Sequence, residues 1–244
     1  LITQKTRVLR NWRLVDMLSR IVRRAARMML PRVSGGGELG QQVALDSLPF
    51  RAETVIKGFL NGYFPMPGED GKVQWRSPEQ RCVIPIDGFH VPKNVKRLIR
   101  QDKFEIRVNT SFEEVINACA EREETWITDD MISVYCELHR RGFAHSVEAW
   151  QNGELVGGLY GTCIGRFFAT ESQFHRVRDS SKVAFVATFE ILKAAGFVIH
   201  DVQFQTKYLE QFGSTLVPRD EFRQLQMESM LHRAEFRLPE PVEA

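Results

Sequence analysis

Apolar positions along this chain follow two different periods. Between 52 and 61, Val55, Ile56, Phe59 and Leu60 fall at helical spacing, and Gly62 ends the segment. The same spacing predicts helices over 92–101, with Val95, Leu98 and Ile99 inward, and over 111–120, 129–140, 180–195 and, briefly, 208–212. Thr110 and Thr128 stand at the starts of the 111–120 and 129–140 segments as acceptor caps. A period of two predicts strands over 104–109, 146–151, 154–164, 166–171 and 198–204, with a short candidate at 81–86. Asn152-Gly153 predicts a hairpin turn between two of them. The stretches 63–67 and 75–78, rich in aromatic residues and proline, read as loops. Helices, then an antiparallel meander, then helix and strand, predict an α+β (mixed α/β) domain.

A different pattern precedes this body. Over 1–33, Val8, Trp12, Val15, Leu18, Val22, Ala26 and Met29 recur at helical spacing, with Arg10, Arg13, Arg20, Arg24 and Arg27 between them. Pro31 and Gly35-Gly36-Gly37 then form a joint. This arm holds nine Lys or Arg and one acid, whereas the remainder holds 24 basic and 30 acidic residues, so a net charge of +2 conceals a basic arm on a mildly acidic body. Three readings of the arm stay open: a helix packed on the body, a contact for phosphate or an acidic surface, and a remnant of targeting sequence. The chain begins with Leu rather than Met, which leaves room for a start further upstream.

With 43% hydrophobic and 26% charged residues over 244 positions, disordered, collagen-like and coiled-coil chains are excluded. No uncharged apolar run approaches the roughly 18 to 20 residues of a membrane helix. Cys82, Cys119, Cys136 and Cys163 never form Cys-x-x-Cys, which points to reduced thiols in a cytoplasmic protein. Neither His-Glu-x-x-His nor Gly-x-Ser-x-Gly occurs. Cys136-x-x-His139 reads as a packed helix face rather than a metal pair, and Cys163 as core rather than nucleophile. Arg32-x-x-Gly35-x-Gly37 resembles a coenzyme A pyrophosphate loop, but it lies in the joint and not between a strand and a helix.

The polar residues that sit oddly are Glu171, at the end of an apolar strand, and Asp201 and Gln203, two apart and therefore on one strand face. Buried there, they must be paired or open to a cleft. One reading is a satisfied structural network; the other is a polar patch beside an apolar pocket, able to take a proton from an amine.

These residues belong to a longer string. Gly62-Tyr63-Phe64-Pro65, Trp75-x-Ser77-Pro78 with Arg81, Thr125-Trp126-Ile127-Thr128 and Ala144-His145-Ser146-Val147-Glu148 occur in order. They are followed by Glu154-Leu155-Val156-Gly157-Gly158-Leu159-Tyr160-Gly161, Glu171-Ser172-x-Phe174, Ser181-Lys182 and Asp201-x-Gln203. From about residue 50 to about 225 the string resembles the leucyl/phenylalanyl-tRNA–protein transferases. The resemblance does not cover the basic helical arm and Gly-rich joint at 1–40; for the rest it implies a small N-terminal domain at 41–76 and a C-terminal acyltransferase domain of the GNAT kind at 77–244 with a mainly antiparallel sheet. It implies transfer of Leu or Phe, and sometimes Met, from aminoacyl-tRNA to the N-terminal amine of proteins beginning with Arg or Lys. That modification marks them for N-degron degradation. A monomer with no metal or organic cofactor is expected.

The same resemblance assigns residues. Asp201 and Gln203 would flank the acceptor amine, Asp201 attracting its proton and Gln203 orienting the attack and assisting transfer, with the choice of formal base between them open; Glu171 would orient Gln203 or meet the cationic first residue. Leu159, Phe168, Phe185, Thr188 and Leu192 would form the aminoacyl pocket, where burial of a Leu or Phe side chain contributes about 1.5 to 3 kcal/mol. Trp126 and Met66 would flank the 3′ adenosine, and Lys93, Arg97 and Arg100 would meet tRNA phosphates. The family carries Phe in place of Thr188 and Leu192, and Trp in place of Met66. Three rival functions remain: a peptidyltransferase using aminoacyl-tRNA on another amine acceptor, a non-catalytic tRNA-binding module and, more weakly, a coenzyme A-dependent acetyltransferase.

Overall fold

The computed structural model describes residues 38–68, 72–121 and 125–239. The predicted arm helix over 1–33 lies outside them. The chain opens with α1 (Glu38–Asp46) and α2 (Ala52–Leu60), then a hairpin of β1 (Phe64–Pro67) and β2 (Val73–Arg76). Next come β3 (Gln80–Pro85), α3 (Lys93–Arg100), β4 (Glu105–Val108), α4 (Phe112–Ala120) and α5 (Asp129–Arg140). The meander β5 (Ala144–Gln151), β6 (Glu154–Ile164) and β7 (Phe167–His175) leads into α6 (Ser180–Ala194) and β8 (Ile199–Gln203). The short α7 (Lys207–Glu210), β9 (Thr215–Pro218) and α8 (Arg219–Met230) follow. Among the described residues the main sheet has seven strands in the order β4-β5-β6-β7-β8-β3-β9. Every neighbouring pair is antiparallel except β7 with β8. This is the mixed α+β architecture with a mainly antiparallel sheet that was expected.

Side chains alternate across the sheet and so divide the interior in two. One face carries Val83, Tyr160, Phe167, Ala169 and Ile199 and is covered by α2, α4, α5 and α8 through Phe59, Phe112, Tyr135 and Phe222. The other carries Cys82, Ile84, Leu159, Phe168 and Val202 and is covered by α6 and α3 through Phe185, Phe189, Leu192 and Val95.

Several expectations need correction. Within the 63–67 and 75–78 stretches, 64–67 and 75–76 are strand and not loop: Pro65 faces Trp75 and Pro67 faces Val73 in a two-stranded ladder, whereas 77–78 are irregular as expected. Prolines are tolerated there because in so narrow a ladder an N–H can point away from the partner strand. Ile99 is exposed, not inward, while Val95 is buried. Thr128 does cap α5, its hydroxyl accepting the Met131 N–H at 3.3 Å. Thr110 does not cap α4. The buried Glu148 carboxylate does so from β5, accepting the N–H groups of Thr110 and Ser111 at 2.9 Å each. Strand β7 runs past Glu171 to His175, and β9 and α8 had no counterpart in the sequence reading.

Candidate active site

The site arises where the sheet loses its regularity. Strands β7 and β8 pair in parallel only at Phe168 with His200 and Ala169 with Asp201. Beyond those residues the ladder ends, and Glu171 and Gln203 stand on the departing ends of the two strands. Against β6, Thr170 faces Gly161 and Ser172 faces Tyr160, so Glu171 is the extra residue of a β-bulge. Two positions on from Ala169, the Glu171 side chain lies on the α5-covered face, and the bulge reverses the alternation beyond it. There its carboxylate accepts the Thr162 hydroxyl at 2.6 Å, and the buried Tyr135 hydroxyl lies against it. Glu171 is partly exposed, yet its carboxyl is enclosed, and burial pushes it up to about 7, opposed by the Thr162 and Tyr135 hydroxyls.

Asp201 is fully buried on the same face and forms a two-pronged ion pair with Arg81 of β3, which is also buried. Arg81 Nε donates to Oδ1 at 2.9 Å and Nη2 to Oδ2 at 2.7 Å. The guanidinium lies over the rings of Phe64 and Phe222, at 4.1 and 4.6 Å from their centroids. Asp201 Oδ1 also accepts the Gln203 N–H at 3.0 Å. The expectation that Asp201 and Gln203 share one strand face through regular alternation fails: Val83 faces Asp201 while Cys82 faces Gln203, so Val202 is an extra residue between them, and Gln203 has φ of +58°. Among the described residues no hydrogen bond engages its side-chain amide. Both Asp201 oxygens are therefore committed, whereas Glu171 and Gln203 still offer functional groups.

The residues singled out from sequence separate into groups. Glu171 and Asp201 are near enough to interact electrostatically, Asp201 pushing the Glu171 carboxyl up and Arg81 opposing it. Met66 and Trp126 are half-buried against the same core face. Leu159, Phe168, Phe185, Thr188 and Leu192 are all buried, on the opposite face of the sheet. The Thr188 hydroxyl donates to the Ala184 carbonyl at 2.9 Å, so it presents no unsatisfied donor there. His200, next to Asp201 in sequence, also faces that side among Phe168, Phe185 and Phe189; burial lowers it to about 3, and it is a neutral ring. Lys93, Arg97 and Arg100 are exposed along α3.

A cavity of about 770 Å³ opens past the bulge, lined by Gln173, Arg176, Arg178, Asp179, Lys182 and Tyr208, among others. Among the described residues, no three His, Cys, Asp or Glu side chains are grouped to hold a metal. Cys163 is buried, and desolvation pushes its thiol up to about 12, which suits a core residue. Arg81, Thr162 and Tyr135 had no assigned role in the sequence reading. For Arg81 a signal existed: an arginine entering the apolar run Cys82-Val83-Ile84 has to find an anion. Its partner lies 120 positions away, beyond any local pattern.

The chain matches the family model described as leucyl/phenylalanyl-tRNA protein transferase over residues 83–227. A protein of Herpetosiphon aurantiacus named leucyl/phenylalanyl-tRNA–protein transferase is 48% identical over 185 residues, covering 75% of this chain and 96% of that one. One of the same name from Salinibacter ruber is 47% identical over 173 residues, covering 70% and 76%. A third, from Gloeobacter violaceus, is 46% identical over 173 residues, covering 70% and 90%. With the ordered motifs and the bulged parallel pair, these likenesses establish that the chain belongs to the leucyl/phenylalanyl-tRNA protein transferase family.

Proposed function

We propose that this enzyme transfers Leu or Phe, and sometimes Met, from aminoacyl-tRNA to the N-terminal amine of proteins beginning with Arg or Lys, and so marks them for N-degron degradation. The observation that carries this reading is the enclosed Glu171 carboxyl, within electrostatic reach of the fork-held Asp201 at the point where β7 and β8 part. An aminoacyl ester is already activated, so its aminolysis requires no covalent enzyme intermediate. The acceptor amine attacks the ester carbonyl; a C–N bond forms and the bond to the ribose oxygen breaks. One proton leaves the amine and one reaches the ribose oxygen. Holding the two reactants together supplies much of the acceleration.

We assign the amine's proton to Glu171 rather than Asp201. A carboxyl that titrates near 7 is matched to proton transfer at neutral pH, whereas Arg81 and the Gln203 N–H occupy Asp201. The Gln203 amide orients the amine or polarises the carbonyl. Donor selection falls to the apolar group of Leu159, Phe168, Phe185, Thr188 and Leu192. Entry of a side chain there requires those packed groups to part. The adenosine is placed against Met66 and Trp126, and the acceptor stem against Lys93, Arg97 and Arg100. The protein is read as a cytoplasmic monomer; no described helix is long and apolar enough to cross a membrane. The test is transfer of labelled Leu from charged tRNA to a peptide beginning with Arg, beside the same peptide with its N-terminus acetylated. Label on the free amine alone supports the reading. Label on neither peptide, or on both, overturns it.

A further inference from the structure

We propose that Arg81 is a positioning residue for this reaction, acting through Asp201 to hold the Gln203 backbone in the turn that presents its amide to the parting strands. The inference rests on the reading above for its chemistry and on geometry alone for its mechanics.

Gln203 carries a β-carbon at φ +58°, a conformation such residues rarely adopt. The Phe204 N–H donates to the Val202 carbonyl at 2.7 Å, which makes Gln203 the centre of a three-residue turn. Against β3, Cys82 faces Gln203 while Val83 faces Asp201, so Val202 is an extra residue and β8 bulges immediately before the turn. Strain of this kind persists where surrounding structure over-determines it. Here the determinant is visible: Asp201 Oδ1 accepts the Gln203 N–H and is fixed by the Arg81 fork. Arg81 is fixed in turn by the rings of Phe64 and Phe222 and by the Gly62 carbonyl, which accepts Nη1 at 3.4 Å. The ordered motif Gly62-Tyr63-Phe64-Pro65 thereby reaches Gln203 through one guanidinium.

A buried ion pair gives little net stability that apolar packing could not supply, so its placement under a strained residue is better explained by orientation. Loss of the fork lets Asp201 rotate. Gln203 then relaxes toward negative φ and its amide swings away from the cleft.

The test uses the full chain with Arg81→Lys, which keeps the charge but not the fork, together with Gln203→Gly and the double variant. For R81K, kcat for Leu transfer is expected to fall at least about tenfold with KM for both substrates within about twofold, the signature of lost orientation. The double variant should transfer no more slowly than Q203G alone, because the clamp has nothing left to hold. Independently of activity, hydrogen exchange at the Gln203 amide should quicken at least about tenfold in R81K while amides of α6 keep their rates. Losses that multiply in the double variant, or an unchanged Gln203 amide, overturn the proposal. Should R81K fail to fold, Asp201→Asn is read by the same exchange measurement, with the same outcome deciding. If the wild type transfers nothing, the functional reading fails, but the exchange result still decides whether Arg81 holds Gln203.

Discussion

Replacing Glu171 by Gln separates the chemistry of this carboxyl from its shape. In the folded protein it titrates at about 7 instead of 4.5. That rise corresponds to about 3 kcal/mol of preference for the neutral form, and to somewhat less because the residue is partly open to water. The folded state thus holds a proton that the unfolded chain releases between about pH 4.5 and 7. Stability therefore falls as pH rises through that window. Gln cannot ionise and keeps an acceptor for the Thr162 hydroxyl. E171Q should accordingly match the wild type near pH 4.5 and be more stable by about 2 kcal/mol at pH 8, a gain of several degrees in Tm. Denaturant midpoints measured from pH 4.5 to 8 read this directly. In the same series, wild-type transfer should rise with pH to a plateau above about 7, while E171Q should be slower by at least about a hundredfold and lose that inflection. If the two proteins keep the same stability difference at every pH, or if E171Q retains the inflection, Glu171 is not the titrating group.

Further predictions concern the frame and the donor surface. A β-carbon at Gly161 would meet the Ala169 carbonyl oxygen at 2.3 Å and the Phe168 ring at 2.5 Å. Gly161→Ala should therefore cost about 2 to 4 kcal/mol, read as a drop in Tm, because strand backbone lies in the way and cannot move aside cheaply. Changing Lys93, Arg97 and Arg100 together to Ala should weaken tRNA binding at low salt and flatten the dependence of log affinity on log salt by roughly 2 to 3, with kcat retained at saturating tRNA. An unchanged slope would place the acceptor stem elsewhere.

Much of the framework was legible in the sequence because single periods persist over long stretches. The α5 and α6 segments keep their apolar residues at helical spacing, and Asn152-Gly153 turns as expected, with both residues at positive φ. The hairpin at 64–76 was obscured because its ladder contains Pro65 and Pro67, residues that read as loop when taken singly. The bulge at Glu171 was obscured for another reason. Phe168 and Phe174 should share a face in a regular strand, but the structure places them on opposite faces. A single inserted residue leaves only that change of phase. The acid and amide themselves stood out because charge on a buried strand requires an explanation. Their division of labour did not, because it depends on Arg81, far away in the chain. The two faces of the site were equally hidden, since only the folded sheet puts Asp201 on one side and Phe168 on the other.

The central claim is that the groups at the parted strands pass an aminoacyl group from tRNA to an amine. Single-turnover transfer of labelled Leu from charged tRNA to an Arg-peptide, by the wild type and by Gln203→Ala at matched tRNA occupancy, tests it most directly. Product is expected with the wild type and a loss of at least about a hundredfold in the variant, with tRNA affinity preserved. Equal rates for the two proteins would contradict it.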